Sequence, residues 1–190
     1  GLAVFFILVA PAEASGVFTD KAGLKAAVND VTTAEATHGP IAGWDVSRVD
    51  DFTELFRELT TFNEAIGAWD TSKVTSMDST FGYASSFNQP LEWDTSQVTT
   101  MSETFRSNEA FNQELEWDTS KVATMEDMFR GAVSFDQPLN WDTSKVRELR
   151  KAFDGAQAFN QRGIADWDVS RVLDMESTFD DTALENDACS

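Results

Sequence analysis

The sequence is poor in the residue types that carry out most enzyme chemistry. Its 190 residues include a single histidine, His38, and a single cysteine, Cys189. One cysteine cannot form an intramolecular disulfide, and neither residue type is numerous enough for a Cys/His metal cluster. A lone histidine also leaves few options for general acid–base catalysis. We therefore expect a protein that is not an enzyme and that holds no cofactor or metal.

Basic residues are scarce as well. The chain has 14 Lys and Arg against 33 Asp and Glu, a formal net charge of −19. This imbalance repels nucleic-acid phosphates and anionic lipid surfaces, so we expect no nucleic-acid partner. The composition is nevertheless 42% apolar and 12% aromatic. A chain of this composition can bury a core and is not a disordered acidic tail.

The longest apolar run, LAVFFILVA, lies at residues 2–10 and precedes Ala12-Glu13-Ala14. An apolar run followed by a small-x-small site is typical of a signal peptide. As a helix, residues 2–12 would span about 16 Å, against roughly 30 Å of bilayer hydrocarbon. We interpret residues 1–15 as a signal-peptide-like or membrane-anchor segment, which predicts an extracytoplasmic location and membrane contact by residues 2–12. A soluble core strand or helix is the alternative.

From residue 44 onward the sequence is periodic, and the period governs its interpretation. Six tryptophans recur at intervals of 25, 24, 24, 24 and 26 residues, and each is followed by Asp. A Phe lies 12 residues after every Trp. We predict that these residues form a structural ladder: Trp44, Trp69, Trp93, Trp117, Trp141, Trp167, Asp45, Asp70, Asp94, Asp118, Asp142, Asp168, Phe56, Phe81, Phe105, Phe129, Phe153 and Phe179.

Each repeat contains a helical and a strand-like pattern. Apolar residues 5, 8 and 12 positions after the Trp are spaced as on one helix face, and the Asp is placed to cap that helix. The segment before the next Trp, as in residues 111–117, alternates apolar and polar residues like a short strand. Because one helix and one strand cannot enclose a core alone, the pattern predicts an α/β repeat solenoid. We expect about six coils of 24–26 residues at 41–184, an N-terminal capping helix within 16–40, and a tail at 185–190.

The motif Trp-Asp-Thr-Ser-Lys-Val-Thr-Ser-Met, followed by Phe and Phe-Asn-Gln-Pro-Leu in residues 69–91, resembles a known family. It is similar to the BspA-like, leucine-rich-repeat-related proteins of mycoplasma lipoproteins and bacterial surfaces (domain of unknown function 285), which are also abundant in marine algae. The resemblance covers residues 41–184, and residues 18–28 look like the leader helix of algal members. It implies a right-handed solenoid, a surface or luminal location and protein binding, with no catalytic residue. Glu185 replaces the Phe expected 18 residues after Trp167, so the array is expected to end there.

Three ladder positions allow a second interpretation. The Asp ladder could bind calcium, but five of its six members are followed three residues later by Lys or Arg, and the loop lacks the oxygen density of calcium sites. The Asn-Gln pairs could bind glycans, although a hydrogen-bonded Asn ladder between coils is favoured. The tryptophans could stack on sugars, but their place in the apolar period favours core packing.

These patterns lead to one functional hypothesis and one alternative. The first is a non-catalytic, membrane-associated protein-interaction scaffold outside the cytosol, whose apolar N-terminal segment contacts a membrane complex. An accessory subunit of a photosynthetic supercomplex in a thylakoid lumen is a concrete version. The alternative is a secreted or cell-surface adhesin that binds glycans. We also predict an acidic flank built from unpaired residues: Glu54, Glu58, Glu103, Glu109, Glu114, Glu116, Glu126, Asp127 and residues 180–187.

Overall fold

The computed structural model describes residues 16–184. The signal or anchor segment predicted at residues 1–15 and the tail predicted at 185–190 lie outside the described residues. Two short helices open the described part, α1 (Lys21–Asn29) and α2 (Val31–His38), in the region where one capping helix is predicted. Within these described residues no helix is long and apolar enough to cross a membrane.

Both helices begin at an aspartate that caps them. The side chain of Asp20 accepts a hydrogen bond from the Gly23 N–H at 2.8 Å, and that of Asp30 accepts one from the Thr33 N–H at 3.2 Å. Such caps satisfy N–H groups that the first helical turn leaves unpaired. Helix α1 buries Leu24, Ala27 and Val28 and forms the N-terminal end of the core.

The predicted α/β solenoid of strand–helix coils is wrong. Between residues 44 and 182 the described chain contains no strand, and apart from a 3-10 segment at Arg162–Asp166 the repeats consist of turns and irregular backbone. Successive repeats are joined by isolated parallel β-bridges instead of a sheet. The bridges run through Asp51, Ser76, Thr100, Thr124, Glu148 and Asp174, one residue per repeat.

The backbone conformation explains why helical spacing does not produce a helix. Below, a coil begins at its Trp, and a position is counted from that Trp. In every coil the residues at positions 10 and 14 have positive φ, a conformation that a right-handed helix excludes. In the first coil the Leu55 N–H donates to the Phe52 carbonyl at 3.0 Å around Glu54, whose φ is 59°. This is the pattern of a type II turn. The twelve residues are Glu54, Glu58, Ser79, Tyr83, Glu103, Ser107, Asp127, Gly131, Lys151, Gly155, Ser177 and Asp181.

The alternating turns direct every second N–H along the stack of coils. In the first coil the N–H groups at positions 8, 10, 12 and 14 donate to carbonyls of the second coil at 2.8–3.0 Å. The same four bonds recur at each of the five interfaces between coils. In the first five coils the N–H groups at positions 11 and 13 bond back to carbonyls three residues earlier in their own coil. Each coil therefore forms a flat layer that is hydrogen-bonded to the next.

Aromatic rings fill the layers. The Phe105 ring lies 4.0 Å from that of Phe111 in the same coil and 5.4–5.5 Å from those of Phe81 and Phe129 in the adjacent coils. All four side chains are fully buried. The centroid distances between coils, 5.4–5.5 Å, are in the favourable range of about 4.5–7 Å for aromatic pairs. Two columns of phenylalanine thus run along the stack, one at position 12 and one at position 18.

Truncation of one ring in the column should be costly. We expect Phe105→Ala to lower the free energy of unfolding by about 3–5 kcal/mol, because it leaves a cavity that the neighbouring layers cannot fill. Leu173→Ala is the control, since Leu173 is 78% exposed. Urea denaturation of both variants measures the difference. A loss below about 1 kcal/mol for Phe105→Ala would show that the column does not stabilise the stack.

The positive φ angles make a second prediction. Gly155 has φ +75°, and a methyl group there would meet its nearest atom at an ordinary 3.7 Å. Gly155→Ala should therefore cost about 1–2 kcal/mol through backbone strain alone. Gly163 has no positive φ and open space around it, so Gly163→Ala should be neutral or slightly stabilising. Equal unfolding midpoints for the two variants would contradict this interpretation of the turns.

Candidate interaction surfaces

The structure places the ladder residues in two environments. The six tryptophans are buried, with at most 9% of each residue exposed, and the position-12 phenylalanines are buried except for Phe179, which is partly buried. Each indole N–H donates to a backbone carbonyl; the Trp93 Nε1, for example, reaches the Ile66 oxygen at 3.0 Å. Rings in this environment cannot form an exposed platform for sugars. The six aspartates that follow them are exposed.

These aspartates close turns. In every coil the Asp Oδ1 accepts the N–H of the Ser two residues later at 2.9–3.1 Å. Hydrogen bonds from the same serine, first that of its hydroxyl and then that of its N–H, are the main reason why the pKa is lowered for Asp45, Asp70, Asp118, Asp142 and Asp168. Nearby Lys and Arg side chains contribute less to the shift. The cap predicted from sequence is thus a turn cap, because no helix follows. No cluster of three or more metal-ligating side chains occurs among residues 16–184.

The predicted Asn ladder is confirmed. The Oδ1 of Asn63 accepts the backbone N–H of Asn88 at 2.9 Å and the Gln89 amide at 3.2 Å. The same pair of bonds recurs in the next three coils, and an aspartate, Asp136, takes the acceptor role once. The ladder joins adjacent coils at the start of the segment that leads to the next Trp.

A groove of about 610 Å³ lies beside this ladder and is here called the polar groove. Three exposed carboxylates lie in its lining, and none of the nine described residues that line it is basic. A second groove of about 400 Å³ shares two of these carboxylates. The polar groove is lined by Pro90, Leu91, Glu92, Trp93, Asn112, Gln113, Glu114, Glu116 and Gln137.

A different face of the stack carries a network of ion pairs between coils. Arg106 contacts Asp127 at 3.0 Å, and Arg130 contacts Asp154 at 3.1 Å. Tyr83 lies between two guanidinium groups, which are 5.0 and 5.7 Å from its ring centre. The prediction of unpaired acids is therefore wrong for five residues that form ion pairs: Glu54, Glu58, Glu103, Glu126 and Asp127.

The acids of the polar groove differ from those of the ion-pair network. Glu92, Glu114 and Glu116 form no ion pair within the described chain. Sequence reasoning singled out Glu114 and Glu116 but missed Glu92 and the groove itself. The sequence signal for this groove is the Glu directly before Trp93 and the two Glu residues just before Trp117. The polar groove thus holds three exposed carboxylates that form no ion pair within the described chain.

The same hydrogen bonds thus recur from one coil to the next. The profile of the family described as "Mycoplasma protein of unknown function, DUF285" matches residues 23–116 and, in an overlapping second match, residues 91–190. Because the two matches cover most of the sequence, the chain belongs to the DUF285 family. No curated protein and no solved structure matches this sequence.

The Asn ladder yields a prediction with an internal control. Asn88→Ala removes the acceptor for the Asn112 N–H and the Gln113 amide. We expect this change to lower the free energy of unfolding by about 1–3 kcal/mol, the cost of leaving part-buried donors unpaired. Asn88→Asp should be nearly neutral at pH 7, because Asp136 fills the equivalent role. Equal losses for both variants in urea denaturation would show that the acceptor oxygen contributes little.

Proposed function

We propose that this chain is a non-catalytic protein-interaction scaffold that acts outside the cytosol at a membrane. The observation that carries the proposal is the polar groove, which combines exposed carboxylates with amide side chains on a stack of ordered layers. The Asn and Asp ladders use their own polar atoms inside the stack, whereas Glu92, Glu114 and Glu116 face solvent. Groups of this kind are suited to contact with another molecule.

The chemistry of the groove favours a basic, extended polypeptide as its occupant. Carboxylates attract Lys and Arg side chains, and the Gln113 and Gln137 amides can bond to the main chain of a partner. The exposed Pro90 adds apolar contact area. The net charge of −19 would also accelerate the approach of a basic partner at low salt.

The location outside the cytosol is part of the same proposal. It is supported by the apolar run at residues 2–10 and by the resemblance to BspA-like surface proteins. We also propose that the chain is related to those proteins. In this view residues 2–12 contact the membrane or a membrane complex. An accessory subunit of a photosynthetic membrane complex is one concrete form of such a scaffold.

The test is a comparison of two charge variants. The groove variant carries Glu92→Gln, Glu114→Gln and Glu116→Gln, and the control carries Asp50→Asn, Glu109→Gln and Asp180→Asn, three exposed acids outside the groove. Proteins that copurify with the full chain are identified by mass spectrometry, and the affinity of the purified partner is then measured. We expect the groove variant to bind about tenfold or more weakly and the control to bind within about twofold of the native chain.

Salt provides a second criterion. Binding to the native chain should weaken between about 0.05 and 0.5 M salt, because exposed charges are screened within about 10 Å at 0.1 M. A partner that binds both variants equally and independently of salt would show that the polar groove is not its binding site. If no protein copurifies with the chain, the scaffold function itself is contradicted.

A further inference from the structure

We draw no further inference here: the strongest candidate, the apolar pocket at Met175 on the C-terminal end of the stack, lies next to residues outside the described chain, and nothing in the structure shows what covers it.

Discussion

The hydrogen bonds that run along the stack are the interaction on which the rest of the structure depends. At each interface four of them come from the N–H groups at positions 8, 10, 12 and 14, and they exist because positions 10 and 14 turn the backbone through positive φ. Ten of the twelve residues at these positions are not glycine, so each carries strain of about 1–2 kcal/mol. Bonds between coils, worth about 1 kcal/mol each, and the buried phenylalanine columns offset that strain. A single coil would have the strain without the compensation, which makes the repeats stable only together.

Side chains form hydrogen bonds with backbone groups that the backbone–backbone bonds leave unpaired. The Asp of each repeat accepts a serine N–H in the same coil, as Asp94 does. The Trp93 indole N–H donates to the Ile66 carbonyl two coils earlier, and the Asn88 Oδ1 accepts an N–H of the following coil. Asn108 is an exception to this pattern of satisfied hydrogen bonds. It stands where the second, fourth and fifth coils have alanine, its Oδ1 accepts the Phe111 N–H, and its buried Nδ2 has no hydrogen-bond partner. One coil therefore replaces a backbone acceptor by a side chain and leaves a buried donor unpaired.

The sequence predicts the register of the coils correctly but not their conformation. The β-bridge residues are separated by 25, 24, 24, 24 and 26 residues, the intervals read from the tryptophans. The Asn ladder is also predicted correctly, because an Asn that recurs once per coil lies next to its counterparts in the adjacent coils and can bond to them. Apolar spacings of three and four do not distinguish a helix from successive four-residue turns, and only Gly131 and Gly155 indicate the positive φ angles. The polar groove could not be inferred, since residues from three coils form it.

The variation in repeat length is confined to one segment. The second Phe of the first five coils always lies 18 residues after its Trp. The distance from that Phe to the next Trp varies and is 7, 6, 6, 6 and 8 residues. The longest of these segments accommodates its extra residues in the 3-10 turn at Arg162–Asp166. The positions between Trp and Phe must keep their number, because the N–H groups at positions 8, 10, 12 and 14 each donate to a fixed counterpart in the adjacent layer. Insertions that diversify this architecture can therefore accumulate only before the tryptophan, in the segment that borders the polar groove, where a change in loop length alters the groove and leaves the layers intact.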